Sequence, residues 1–154
     1  MNRYVVCAII QKDDRILLAK QSLSRPPFPN MWHTPGGDVK NTHRAEELVT
    51  KNELEDEYFH KELVREIHEG LGLKVENIHC IVPEFRPTPR ESNAYNKLGE
   101  MTHYTFLEYL CDYAGGSIHP DSEYSEAQFF DKEELKKLDL TPPSREMYDA
   151  LGWL

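Results

Sequence analysis

The chain has 154 residues, 39% of them apolar and 29% charged, with 18 Lys and Arg against 27 Asp and Glu for a net charge of −9. That composition supports one ordinary core and argues against a disordered chain. A surface this negative repels nucleic-acid phosphate, so no duplex partner is expected, although a cation or a local arginine cluster can reverse the field around one small phosphorylated ligand. No apolar run reaches the roughly 18 residues that span a bilayer, and no signal-peptide pattern opens the chain, so a soluble, cytoplasmic protein with no membrane partner is expected.

In chain order, Tyr4 to Ile10 is β-branched and apolar and reads as a strand. Lys12-Asp13-Asp14 turns it into a hairpin partner over Arg15 to Lys20. Arg25 to Asn30 is a loop stiffened by three prolines, Met31 to Thr34 is extended, and Pro35-Gly36-Gly37 predicts a turn with unusual backbone angles. Thr42 is read as the N-cap of a helix carrying Ala45, Leu48 and Val49. The acidic group Glu53, Glu55, Asp56, Glu57 interrupts it, and a second helix starts near Tyr58. Phe59, Leu63, Ile67 and Leu71 form one apolar stripe on that helix, which Gly70 and Gly72 end. Lys74 to Phe85 reads as a strand, Arg86 to Glu100 as a loop, Met101 to Tyr113 as a strand and Gln128 to Phe130 as a short strand. Asp131 caps a helix through Leu138, and Ser144 caps a last one to about Leu151. Strands and helices without regular βαβ alternation predict an α+β fold, a mixed sheet between helices. Cys7, Cys80 and Cys111 form no Cys-x-x-Cys pair and sit in apolar stretches, which predicts buried thiols and no zinc or disulfide framework.

The chemistry concentrates on the second helix. Glu62, Glu66 and Glu69 stand at i, i+4 and i+7, so three carboxylates share one face opposite the apolar stripe. Spacing alone leaves two readings open: a solvated face partly neutralised by Lys61 and Arg65, or a site of carboxylate oxygens for a hard cation, with Mg²⁺ the natural occupant beside substrate phosphates.

The segment Glu57, seven residues, then Arg65-Glu66-Ile67-x-Glu69-Gly70-x-Gly72-Leu73 resembles the second half of the Nudix hydrolase signature. Trp32-His33-Thr34-Pro35-Gly36-Gly37 resembles its opening, and Glu126 to Leu135 resembles the final strand and helix of that family. The resemblance implies a Nudix-type α/β/α sandwich with a mixed sheet over residues 1–154. It also implies a Mg²⁺-dependent hydrolase, with Mn²⁺ as substitute, that cuts a pyrophosphate bond in a nucleoside di- or triphosphate derivative. The alternative is a nucleotide-binding or regulatory module of the same fold with lapsed catalysis.

By the same resemblance Glu66, Glu69 and a Gly37 carbonyl hold metal, and Arg65 orients a glutamate by ion pairing. Glu57 is supportive and Glu126 is a candidate base. Trp32 and Phe28 are candidates for stacking a base, and the loop residues Arg25, Arg86 and Arg90 for binding phosphate. Family members often form homodimers. Two departures stand out. Nineteen residues separate Gly37 from Glu57 where the signature has five, an insertion at about residues 42–56; and Gly70 stands where the family has a second glutamate. A Glu at Gly70 is expected to join the metal-facing cluster.

Overall fold

The computed structural model describes residues 1–24, 28–82, 88–96 and 98–154. The long parallel pair at its centre is β1 (Asn2–Lys12) beside β7 (Met101–Gly116), in register from Asn2 with His103 to Gln11 with Asp112. Val6 to Ile10 is buried without a break, as a strand covered on both faces must be. Even-numbered Val6, Ala8 and Ile10 enter one core cluster and Ile9 the other, the period-2 alternation of a strand between two layers.

Around this pair the sheet is antiparallel. β2 (Arg15–Gln21) follows β1 by a hairpin and pairs with β8 (Tyr124–Asp131) along one edge and, at Ala19 and Lys20, with β3 (Trp32–His33) along the other. β4 (Gly36–Asp38) lies on β1, while β5 (Leu73–Cys80) and β6 (Arg90–Tyr95) both pair with β7. Helices α1 (Thr42–Thr50) and α2 (Glu57–Leu71) cover one face. α3 (Pro142–Ala150) and a 3-10 helix, Lys132–Lys137, cover the other. The expected α+β sandwich with a mixed sheet is what the chain forms.

α2 is set by its stripe: Phe59, Leu63, Ile67 and Leu71 are all buried against β1 and the rest of the first cluster. Each such side chain contributes about 1.5–3 kcal/mol relative to exposure. Asp56 caps the helix by accepting from Tyr58 N–H, and Gly72 ends it in the left-handed conformation at φ 77°.

Several expectations are corrected here. Asn41, not Thr42, caps α1, accepting from Arg44 N–H. Thr141, not Ser144, caps α3; Ser144 is buried and accepts from Thr34 N–H at 2.9 Å. Gly70 lies inside α2 and does not end it. Pro35-Gly36-Gly37 is no turn: Gly36 and Gly37 are paired strand residues, and neither has positive φ. The stretch read as a loop contains β6, whose hairpin with β7 closes at Asn96, where the side-chain oxygen accepts from Leu98 and Glu100 N–H. Segment 42–56 buries Ala45, Leu48 and Leu54, and Tyr109 Oη donates to Leu54 O at 2.6 Å, which ties this segment to β7. Cys7, Cys80 and Cys111 are buried and form no disulfide. Among the described residues no helix is long and apolar enough to cross a membrane.

Candidate functional site

A cavity of about 470 Å³ opens on the α3 face of the sheet. Its floor is the odd-numbered face of β1, with Arg3, Val5 and Cys7; its far wall is Thr141, Ser144 and Met147 at the start of α3. Cys7 is no nucleophile. Burial, with the charge of Glu108 added and that of Arg90 opposing, pushes its thiol up to about 12, so it stays protonated.

α2 packs on the opposite face, yet Glu66 reaches the cavity because β4 at that point is glycine. A Cβ on Gly37 would fall on the Glu66 carboxylate, and one on Gly36 would fall on Val6 O. The two glycines are there for space and not for backbone angle. Glu66, Gly37 and Glu123 together line one end of the cavity.

Arg65 organises this end. Its Nη2 is 2.7 Å from Glu62 Oε2 and 3.1 Å from Glu66 Oε1, and its Nη1 is 3.0 Å from Glu69 Oε2. The three carboxylates that share a helix face therefore share one guanidinium, a planar fork suited to several acceptors. Glu62 also accepts from Lys40 N–H at 3.0 Å. Burial pulls Glu62 up, but the bonds from Arg65 and Lys40 outweigh it and hold the carboxyl below its usual range. Glu66 goes the other way. Burial raises it, with repulsion from Glu123 and Glu69 added, and Arg65 offsets only part.

The structure thus brings Glu66, Glu69, Arg65 and Gly37 together. Phe28 lines the cavity. Trp32 does not: it is buried edge-on against Phe130, ring centroids 5.0 Å apart, with its neighbour His33 facing the cavity instead. Glu57 sits exposed on the first turn of α2, paired with Lys61 at 3.1 Å. Arg25 and Arg86 lie outside the described residues. Glu126 is exposed on β8 across from Lys20 and does not line the cavity, whereas Glu123, just before β8, does. The sequence reading missed Glu123 and the pair Tyr104 and Phe106, which alternate along β7 into the cavity. Their i, i+2 spacing was visible, but which face of β7 fronts a cavity is a tertiary fact. Glu126→Gln is expected to leave turnover within about two-fold, and Glu123→Gln to lower it about ten-fold or more, measured as kcat on one nucleotide.

Gly70 does not face solvent. It is buried, and a Cβ there would stand 3.3 Å from Tyr124 Cε2 and 3.9 Å from Asp121 Oδ2. Tyr124 is itself buried and donates from Oη to Gly36 O at 3.0 Å. The missing side chain makes room for the ring that holds β4. The expectation above sets a Glu here in the metal-facing cluster; the contact of its Cβ with Tyr124 favours a packing role for the glycine instead. Gly70→Glu overpacks against Tyr124 and sets a carboxylate beside Asp121. We expect it to cost about 1–3 kcal/mol, read as a lower Tm both with and without Mg²⁺, with no gain in metal affinity.

The NUDIX domain family profile matches residues 1–151, and the chain belongs to that family. It is 28% identical over 152 residues to nucleoside triphosphatase NudI of Klebsiella pneumoniae strain 342, covering 99% of this chain and 98% of that one. It is 29% identical over 153 residues to nucleoside triphosphatase NudI of Salmonella newport strain SL254, with 99% and 98% covered. Among solved structures, the fold matches the MutT NUDIX hydrolase from Burkholderia pseudomallei at TM-score 0.66 and 22% identity, covering 100% and 98%. It also matches the NUDIX domain of Shewanella oneidensis NrtR complexed with ADP ribose at TM-score 0.66 and 14% identity, covering 99% and 87%.

Proposed function

We propose that this chain is a divalent-cation-dependent pyrophosphohydrolase that cleaves nucleoside triphosphates and related nucleoside diphosphate derivatives. The observation that carries the reading is Glu66, a partly buried carboxylate aimed through a glycine gap into a cavity by an arginine that also binds Glu62 and Glu69. The relatives named nucleoside triphosphatase support the substrate class.

The residues present fit a divalent ion of the kind the family generally uses. The cradle at Gly37 is one that a Cβ would fill, and Gln21 Oε1, buried and lining the same cavity, has no hydrogen-bond partner among the described residues. Those residues hold no preassembled cage of three His, Cys, Asp or Glu side chains. Mg²⁺ takes one or two carboxylates and draws its remaining ligands from water and substrate phosphates. Glu66 and Glu69, with the Gly37 main chain, would hold Mg²⁺ or Mn²⁺, and Glu123 adds negative charge at the same end. Bound there, the ion would neutralise phosphate charge and so lower the barrier to attack by water. Arg65 pairs with Glu66 and Glu69 and aims them; Tyr124, through Gly36, fixes the strand that Glu66 passes.

Glu126, first considered as a base, lies outside this arrangement, and Glu123 takes its place in the proposal. Gly70, the feature that favoured lapsed catalysis, we read as making room for the Tyr124 ring. We read the 42–56 insertion as part of a single domain of 1–154, since it is built into the core and none of its residues lines the cavity. The test is turnover of a nucleoside triphosphate in Mg²⁺, in Mn²⁺ and in EDTA, scoring released phosphate and pyrophosphate. Product is expected with either metal and none in EDTA; full turnover in EDTA overturns the metal role.

A further inference from the structure

The sheet wall of the cavity carries groups that pyrophosphate cleavage does not use. Tyr104, Phe106 and Glu108 alternate along β7, and the register sets Tyr104 between Arg3 and Ser92 and Phe106 between Val5 and Arg90. The two rings are stacked, centroids 6.1 Å apart at 28°. The Arg90 guanidinium lies 4.1 Å above the Phe106 ring. Its Nε and Nη2 are 3.1 and 3.0 Å from Glu108 Oε1, while Nη1 makes no hydrogen bond among the described residues. Arg90 and Glu108 are both only 7% exposed. An ion pair buried this deeply adds little stability over an apolar pair of the same volume, yet Arg90 lines the cavity.

Asp38 of β4, next to Gly37, shares a row with Val5 and Phe106. Two strand spacings, about 10 Å, therefore separate the acidic end from the aromatic wall. One ligand with an anionic end and a flat end spans both.

We propose that Tyr104 and Phe106 are the platform on which the nucleobase of the substrate stacks, and that Arg90, held by Glu108, donates from Nη1 to a carbonyl oxygen of the base. Uracil, thymine, cytosine and guanine carry such an oxygen and adenine does not. This deepens the reading of the site as nucleotide-cleaving and rests on it. Stacking on an aromatic pair backed by a guanidinium is favourable for any base. A buried donor left unpaired is what rejects the wrong one.

The test is calorimetric titration with uridine 5′-monophosphate, adenosine 5′-monophosphate, ribose 5-phosphate and pyrophosphate, probes whose binding is read without turnover of a nucleotide. Uridine monophosphate is expected to bind about ten-fold tighter than ribose 5-phosphate and tighter than adenosine monophosphate. Tyr104→Leu and Phe106→Leu should each weaken it about five-fold or more and leave pyrophosphate within about two-fold. The double variant Arg90→Met, Glu108→Met, which replaces the pair with apolar side chains, should erase the preference over adenine. Ribose 5-phosphate binding as tightly as the nucleotide, or unchanged affinity in both ring variants that still melt cooperatively, overturns the platform. Equal binding of the two monophosphates by wild type overturns the role of Arg90. A wild type that binds with the expected pattern but hydrolyses nothing keeps the platform and removes the catalytic reading.

Discussion

Glu66→Gln is expected to lower kcat by about 10²- to 10⁴-fold, the range for a side chain acting at the reacting centre, while the Tm in EDTA stays level or rises. The two halves have one cause. Burial raises the Glu66 carboxyl above its usual range despite Arg65, so the folded state holds that proton more tightly than the unfolded chain. The ionised group therefore subtracts stability at neutral pH. The cost is absent below the usual carboxylate pKa and sets in as pH rises through it to the raised value. Gln is nearly isosteric and uncharged, so it removes the cost along with the chemistry. A thermal melt in EDTA beside a rate assay checks both, and a large loss of Tm with the rate intact would assign Glu66 to structure.

Arg65→Met is expected to be the most damaging substitution on the polar face of α2 for stability. The Arg65 side chain is only 21% exposed, and its guanidinium bonds Glu62 at 2.7 Å, Glu66 at 3.1 Å and Glu69 at 3.0 Å. Glu69 is 57% exposed, and its share is small. Glu62 and Glu66 are largely covered and would be left as like charges one turn apart. We expect a loss of about 2–4 kcal/mol, a fall in Tm of roughly 5–15 °C for a chain of this size. The sign for Glu62 is opposite to that for Glu66. Its carboxyl is held below the usual range, so its contribution is present above the unfolded pKa and is lost as pH falls through the lowered one. Without Arg65 that contribution goes, and Glu66 rises further. Arg65→Lys keeps a charge but not the fork. It should recover part of the stability and show an acidic limb of the pH–rate profile shifted to higher pH.

The parts of the fold legible in the sequence are those where local pattern and burial agree. β1 is apolar because both its faces are covered, and α2 shows a clean four-residue stripe because one face packs on the sheet. Arg65, Glu66 and Glu69 were legible because carboxylates at helical spacing lie on one face whatever the tertiary context. β6 was not legible. Arg90 to Tyr95 is polar and pairs with β7 alone, fronting a cavity, so it lacks a core pattern. Gly36 and Gly37 suggested a turn because glycine is commonest where φ is positive. Here it is demanded by Val6 O and the Glu66 carboxylate, which no local reading contains. Trp32 and Glu126 were singled out while Tyr104, Phe106 and Glu123 are what line the cavity, for a related reason. A side chain's type was visible, but the side of the sheet holding the cavity was not. Gly70 is explained by Tyr124, which is 54 positions away.

The central claim is tested most directly by ³¹P NMR of the purified chain with a panel of nucleoside triphosphates and nucleoside diphosphate derivatives in Mg²⁺. The account predicts that at least one nucleotide is cut at a pyrophosphate bond, giving a nucleoside monophosphate, with no such product in EDTA or from Glu66→Gln. A folded, cooperatively melting protein that leaves every nucleotide in the panel intact would contradict it.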